Sequence, residues 1–173
     1  DFDIYSAIEE CSDLLEQFGG HRHAAGLTMK VENVEKFRDR FEEVVSGIVD
    51  DEMLIPVIEV DAEIGLSDIT PRLFRILQQF APFGPGNMKP VFLTRQARDS
   101  GYAKIVGNNH LKLKLFESSR PAYKFDAIAF GKGDALQMVS NSCPLDICYT
   151  LEEKEWMGQT EIQLRIKDIS TSE

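Results

Sequence analysis

The chain is poor in the features that define secreted and membrane-spanning proteins. Its 173 residues include only three cysteines, Cys11, Cys143 and Cys148, without Cys-x-x-Cys spacing. An odd number of unspaced cysteines favours free thiols and a reducing compartment, here the cytoplasm. The sequence also lacks a signal-peptide pattern and an apolar run long enough to cross a bilayer. These absences predict a soluble, cytoplasmic protein with no membrane partner.

Basic residues are also scarce, but they are concentrated. The chain has 29 acidic residues against 19 lysines and arginines, for a net charge of −10. That balance alone argues against nucleic acid, because such binding depends largely on neutralising phosphates. Residues 1–60 hold 15 acidic and 5 basic side chains, whereas residues 72–132 hold 11 basic and 3 acidic ones. The middle of the chain is therefore a basic island that can attract a polyanion.

A cluster of carboxylates suited to metal-dependent phosphodiester hydrolysis is absent as well. Two metal ions held a few ångströms apart need several closely placed carboxylates. The acidic runs of this sequence lie at the chain start, at 50–52 after a predicted helix, and at 152–155 in a predicted hairpin. We expect no catalytic and no metal-binding residue in this stretch, and predict that it does not hydrolyse phosphodiesters on its own.

Residues 1–52 predict a small α/β unit. Apolar residues at helical spacing predict a helix over 4–18, with Gly19 as its stop: Ile4, Ile8, Cys11, Leu15 and Phe18. A strand over 25–31 follows, and Asn33 is a candidate cap for a second helix. One helix-strand-helix element has too little sheet to bury both helices, so we expect part of a larger domain in a longer protein.

The segment between the predicted helix and strand is rich in glycine and histidine. Small residues at 19, 20 and 24–26 let a phosphate or sugar approach peptide N–H groups, and His21 adds a donor. A helix cap with a tight turn explains only the Gly19-Gly20 pair. A metal site at His21 and His23 lacks further ligands nearby. We therefore prefer nucleotide or phosphate contact, through Gly19, Gly20, His21, Ala24, Ala25 and Gly26.

Beyond residue 52 the pattern changes to a connecting segment and then a strand-rich region. Residues 53–89 predict a strand over 55–60, a helix starting at Thr70-Pro71, and a rigid loop over 82–87. Residues 90–173 contain five strand-like runs and a short helical insert over 134–139; the runs are 90–96 with 103–106, 111–117, 125–130, 145–151 and 162–169. Five short strands of this kind predict an OB-like barrel, and the chain as a whole an α+β protein.

Alternation along the predicted strands places bases and aromatic rings on the outside of the barrel. If Leu111, Leu113 and Leu115 point inward, the residues between them point outward together. Cations can follow a phosphate backbone while rings stack on bases, which is typical of single-stranded nucleic-acid sites. The alternative is a solvated face that binds nothing. The predicted nucleic-acid-binding residues are Arg95, Tyr102, Lys104, His110, Lys112, Lys114, Phe116, Arg165 and Lys167.

Several segments resemble known families. Gly19-Gly20-His21-x-x-Ala24-Ala25-Gly26 resembles the signature loop of the DHH-associated domain in DHH-superfamily phosphoesterases. Three later segments resemble, in the same order, the C-terminal part of the RecJ family of single-stranded-DNA-specific exonucleases: Phe80-x-Pro82-Phe83-Gly84-x-Gly86-Asn87, Val106-Gly107-x-x-His110-Leu111-x-Leu113 and Gln163-Leu164-x-Ile166-x-Asp168-Ile169. The loop alone indicates only the superfamily, whereas its combination with a basic OB-like module is much more specific.

The resemblance implies the distal half of a 5′-to-3′ exonuclease of DNA repair and recombination. Its catalytic DHH domain, with manganese or magnesium, would precede residue 1, and this stretch would bind no cofactor itself. Residues 1–52 would be part of the DHH-associated domain, 53–89 a connection, and 90–173 the barrel. Implied partners are single-stranded DNA, the upstream DHH domain and other repair proteins. Two alternatives stay open: a nucleic-acid-binding module without enzymatic parent, and an oligoribonuclease or dinucleotide phosphodiesterase of the same superfamily.

Overall fold

The computed structural model describes residues 2–141, 143–156 and 158–172, and it has an α+β architecture. The chain divides into two compact units, one up to Val57 and one from Ile58 onward. In the part of the chain that the structure describes, no helix has the length and apolarity needed to span a membrane. All three cysteines are free thiols.

The first unit contains two helices and a β-hairpin. The elements are helix α1 (Ile4–Glu9), a 3-10 turn (Ser12–Leu14), strands β1 (Gln17–His21) and β2 (Ala24–Thr28), a 3-10 turn (Val31–Asn33) and helix α2 (Val34–Ile48). Asp3 caps α1 by accepting hydrogen bonds from the N–H groups of Tyr5 and Ser6. The side chain of Asn33 does not cap α2; its Nδ2 donates instead to the Leu14 carbonyl at 3.0 Å.

The predicted helix over 4–18 is therefore wrong in its second half. Helix α1 ends at Glu9, and Gly19 lies inside strand β1 rather than at a helix end. The apolar spacing was nevertheless informative, since Ile8 and Cys11 are buried and the Phe18 ring lies 5.6 Å from the Tyr5 ring.

The second unit begins with a short segment that packs on a barrel. Its elements are β3 (Ala62–Glu63), a 3-10 turn (Leu66–Asp68) and helix α3 (Pro71–Gln78). Thr70 caps α3 by accepting a hydrogen bond from the Leu73 N–H at 3.1 Å, with Pro71 at the first helical position, as predicted. The predicted strand over 55–60 is wrong, because this apolar run has no strand partner and its residues are exposed.

Six further strands and a helix complete the second unit. They are β4 (Phe92–Asp99), β5 (Lys104–Val106), β6 (His110–Glu117), β7 (Arg120–Ala129), β8 (Leu145–Trp156) and β9 (Gln159–Thr171), with α4 (Leu136–Ser140) between β7 and β8. The ladder order is β3-β4-β8-β9-β7-β6-β5, and an added β4–β6 pairing closes the sheet. The pair β7–β9 is parallel, while the other four pairings that close the barrel are antiparallel.

Strand β4 belongs to two ladders because it bends at a bulge. Residues 92–94 and Ala97 pair with β8, residues 97–99 pair with β6, and the register with β8 shifts between Thr94 and Ala97. Gln96 has a φ of 58° there, which a non-glycine residue seldom adopts. A bulge inserts an extra residue and turns the strand, and this turn lets five strands close into a barrel.

The barrel interior holds the main core. Strand alternation buries Leu111, Leu113 and Leu115 completely, as the sequence predicted, together with aliphatic residues of β7, β8 and β9. Tyr149 is also fully buried, and its hydroxyl lies 2.8 Å from the Thr94 Oγ1, which donates to the Ile64 carbonyl. Burial raises the pKa of the Tyr149 phenol, so it stays protonated.

Candidate nucleic-acid interface

An aromatic ring flanked by two ammonium groups lies beside the edge of the barrel face formed by β6 and β7. The Nζ atoms of Lys104 and Lys112 are 4.7 Å and 5.7 Å from the centre of the Tyr102 ring. The two lysines are directly opposite each other in the β5–β6 ladder. The pKa of the Tyr102 phenol is lowered by a hydrogen bond with Lys104 and by the positive charges of Lys104 and Lys112. Tyr102 is 40% exposed.

The turn before Tyr102 is held by the carboxylate of Asp99. Its Oδ2 accepts hydrogen bonds from the N–H groups of Tyr102 at 2.6 Å and Ala103 at 3.0 Å. Its Oδ1 accepts another from the Lys114 N–H at 2.8 Å. One carboxylate thus fixes the loop between β4 and β5 to the middle of β6.

A mixed cluster of charges occupies the middle of the same face. Lys114 and Asp126 are paired across the β6–β7 ladder, and the Lys114 Nζ lies 3.6 Å from the Asp126 Oδ1. The Lys154 Nζ, from β8, lies 3.4 Å from the Asp126 Oδ2. Further along, the Lys124 Nζ lies 5.9 Å from the centre of the Phe116 ring. We call the surface formed by Tyr102, Lys104, Lys112, Lys114, Phe116, Lys124 and Lys154 the basic face.

Two grooves run along the basic face. One, of about 400 Å³, is lined by Tyr102, Lys112, Asp126, Lys154, Gln159 and Glu161. The other, of about 690 Å³, is lined by residues of β7, of the first turn of α3 and of the β8–β9 hairpin, among them Tyr123, Lys124 and Glu153. Both grooves include Asp126 and Glu161. Each groove combines cations with an aromatic side chain, the combination that is typical of single-stranded nucleic-acid sites.

Four of the predicted binding residues lie elsewhere or are engaged in other contacts. Arg95 forms ion pairs with Glu63 at 3.1 Å and Asp146 at 2.9 Å. The other three lie at the start of β6 and on β9. The His110 Nδ1 accepts a hydrogen bond from the Gly131 N–H, and the His110 ring packs on Phe130. Arg165 forms an ion pair with Glu152 at 3.1 Å. Lys167 occupies a bulge of β9, between the pairs Tyr149–Ile166 and Cys148–Asp168 of the β8–β9 ladder.

Lys124 and Lys154 belong to this surface but are not among the predicted binding residues. Strand β7 was predicted to begin at residue 125 and β8 to end at residue 151, whereas they run over Arg120–Ala129 and Leu145–Trp156. Both lysines therefore fell outside the predicted strands. The outward alternation of Lys124 with Asp126 is the signal that would have found the first of them.

The glycine- and histidine-rich segment of the first unit forms a β-hairpin with Arg22 and His23 at its turn. Gly20 pairs with Ala25 and has a φ of 146°, and a Cβ there would lie 2.4 Å from the Ala24 carbonyl oxygen. The fold itself therefore needs glycine at this position. Gly19 and Gly26 face each other in the ladder, and a Cβ on either would meet nothing within 4 Å. This part of the hairpin is open backbone.

The two histidines of the hairpin lie close together and exposed. The His23 N–H donates to the His21 Nδ1 at 3.2 Å, and the ring centres are 6.0 Å apart. Over residues 2–141, 143–156 and 158–172, no group of three or more His, Cys, Asp or Glu side chains is placed to hold a metal ion.

In chain order the five barrel strands are β4, β6, β7, β8 and β9, and around the closed barrel they follow the order 1-2-3-5-4. This order, with α4 between the third and fourth strands, defines an OB-fold, a class that commonly binds oligonucleotides. In this class the second and third strands and the adjacent loops form the ligand face, which here is the basic face. The family model of the RecJ OB domain matches residues 60–168. The chain belongs to this family.

Curated relatives and solved structures agree with the family. The chain is 34% identical over 173 residues to the single-stranded-DNA-specific exonuclease RecJ of Bacillus subtilis strain 168, covering 99% of this chain and 22% of the relative. It is 27% identical over 161 residues to the protein of that name from Escherichia coli K12, covering 90% and 26%. The chain thus spans about a quarter of the length of these relatives.

The crystal structure of RecJ in complex with Mn²⁺ from Thermus thermophilus superposes with a TM-score of 0.75 at 24% identity. The match covers 99% of this chain and 24% of that one. A second structure of the same protein, in complex with Mg²⁺, gives a TM-score of 0.73. At this level of identity the likeness establishes a shared fold.

Proposed function

We propose that this chain is the substrate-binding part of a RecJ-like single-stranded-DNA-specific 5′-to-3′ exonuclease of DNA repair and recombination. The observation that carries the proposal is the basic face of a RecJ-family OB barrel, where Lys112 and Lys114 alternate with the buried leucines of β6. Cations on this face neutralise phosphates and Tyr102 stacks on a base. Hydrolysis belongs to an upstream DHH domain that holds manganese or magnesium.

The hairpin of the first unit has a second role in this proposal. Residues 1–52 are part of a DHH-associated domain, and the hairpin presents nucleotide- or phosphate-binding groups through Gly19, Gly20, His21, Ala24, Ala25 and Gly26. The open positions at Gly19 and Gly26 support this assignment, because nothing in the fold requires glycine at either. A ligand that approaches the backbone does require it. Residues 53–89 connect this domain to the barrel at 90–173.

Charge reversal on the basic face tests the DNA-binding role. Fluorescence anisotropy with a labelled oligothymidylate should show binding by the 173-residue chain that weakens steeply with salt. Lys112→Glu with Lys114→Glu should reduce the affinity at least about tenfold at low salt, because two phosphate contacts are lost. The control, Lys30→Glu with Lys36→Glu, makes the same charge change in the first unit and should have a much smaller effect. Equal losses in both double variants would contradict the assignment.

The division of labour is tested by activity measurements. The 173-residue chain, incubated with labelled single-stranded DNA and manganese, should release no nucleotides. In the complete enzyme, His21→Ala should slow turnover far more than it lowers the melting temperature. A fall in melting temperature without a loss of activity per folded molecule would make the hairpin purely structural. The cytoplasm is our inference for the compartment, and the upstream domain and other repair proteins are the inferred protein partners.

A further inference from the structure

An acidic side chain lies at the centre of the basic face, where a phosphate-binding surface has no evident use for one. Asp126 places one carboxylate oxygen near Lys114, on β6, and the other near Lys154, on β8. Its side chain is only 20% exposed, so it is held between the two ammonium groups rather than extended into solvent. Both lysines thus have a protein counter-ion when no DNA is bound.

The position of Asp126 along the nucleotide path adds a second observation. Both grooves of the basic face are lined by Asp126, together with Glu161. A strand that passes from the groove beside Tyr102 to the groove beside Tyr123 therefore crosses this carboxylate. Like charges at close range repel, so Asp126 opposes the approach of a phosphate to Lys114 or Lys154.

Stability does not account for the arrangement. Ion pairs between partly exposed side chains contribute little to folding, typically below about 1 kcal/mol. The Lys114 and Lys154 side chains are 44% and 29% exposed. An asparagine of the same shape would keep the strand packing and accept a hydrogen bond from either lysine.

We propose that Asp126 competes with DNA phosphates for Lys114 and Lys154 and thereby keeps the strand loosely held. Whenever a phosphate leaves either lysine, the carboxylate replaces it as counter-ion, which favours release over retention. The strand can then slide along the barrel as nucleotides are removed from its end. This inference rests on the proposed function, because it requires that the basic face binds single-stranded DNA.

The test compares Asp126→Asn with the unmodified 173-residue chain, using the same oligothymidylate and a series of salt concentrations. Each lysine that is freed from Asp126 and gains a phosphate contact steepens the slope of log K against log salt by about 0.7. Such a contact contributes a roughly fivefold further gain in affinity when the salt concentration is lowered from 1 M to 0.1 M. We expect Asp126→Asn to bind about five- to twentyfold more tightly, mainly through slower dissociation. The matched control is Asp168→Asn, which removes the same charge from a Lys–Asp pair, with Lys132, outside both grooves.

A double-mutant cycle separates competition from a general change in charge. Lys114→Met should weaken binding more in the Asp126→Asn background than in the unmodified chain, since the lysine is fully available only there. Equal or weaker binding by Asp126→Asn, with an unchanged melting temperature, would overturn the inference, as would equal tightening by Asp168→Asn. No salt-dependent binding by the unmodified chain would instead overturn the proposed function.

Discussion

Gly19 and Gly20, neighbours in strand β1 of the hairpin, should respond in opposite ways to substitution by alanine. Gly20→Ala would force an L-residue into a φ of 146° and place its Cβ 2.4 Å from the Ala24 carbonyl oxygen and 2.6 Å from the Ala25 Cα. These are backbone atoms of the paired strand, so they can move only by distorting the ladder. Backbone strain of this kind costs about 1–3 kcal/mol. Gly19→Ala, in open space, should instead stabilise the hairpin by about 0.4–1 kcal/mol, through a less flexible unfolded chain.

Hydrogen exchange followed by mass spectrometry is a suitable assay, since the chain has two compact units and a single unfolding transition is not expected. Peptides covering residues 16–29 should exchange roughly 5- to 150-fold faster in Gly20→Ala, which corresponds to the same cost of about 1–3 kcal/mol. In Gly19→Ala they should exchange at the original rate or more slowly. Equal acceleration in both variants would refute the reasoning, because it would mean that Gly19 also meets a steric limit.

Three further substitutions test other parts of the second unit. Thr70→Ala should destabilise this unit by about 1 kcal/mol in urea denaturation and Thr70→Ser should not, because only the hydroxyl caps α3. Burial raises the pKa of Asp146, but hydrogen bonds from Ser172 and Gln96 and the Arg95 cation outweigh it, so the folded-state pKa is lowered. The Asp146 carboxylate therefore stabilises the fold above the unfolded-state pKa of about 3.9, and this contribution is lost as the pH falls through the lower folded-state pKa. Asp146→Asn should flatten the stability curve over this pH range in an acid titration followed by circular dichroism. Tyr102→Ala should weaken oligothymidylate binding by roughly 5- to 150-fold, the loss of one stacked base, whereas a change below about twofold would exclude stacking there.

The barrel was largely predictable from the sequence, because its strands alternate clearly. Leu111, Leu113 and Leu115 are spaced at two residues and are all fully buried, and the predicted helical insert corresponds to α4. The closure of the sheet was not predictable in detail. It depends on the bulge near Gln96 and on a parallel β7–β9 pairing between distant segments, and neither leaves a local pattern in the sequence.

The hairpin was missed for a different reason. Apolar residues at positions 4, 8, 11, 15 and 18 satisfy a helical period, and helix and strand can bury the same short pattern. The Gly19-Gly20 pair is typical of a helix end and so favoured the helical prediction, whereas in the structure both glycines lie in β1, opposite Ala25 and Gly26. The exposed run at 55–60 shows the opposite error, since an apolar sequence alone does not provide a strand partner.

The three hydrogen bonds accepted by Asp99 bear on the entropy of DNA binding. A surface loop that becomes ordered only on binding loses conformational freedom at that moment, which lowers the affinity. Here the backbone at Tyr102 and Ala103 is already tied to Lys114 of β6 when the chain folds. The loop that carries the Tyr102 ring is therefore ordered before any ligand arrives, and the base stacking that we propose there would cost little backbone entropy.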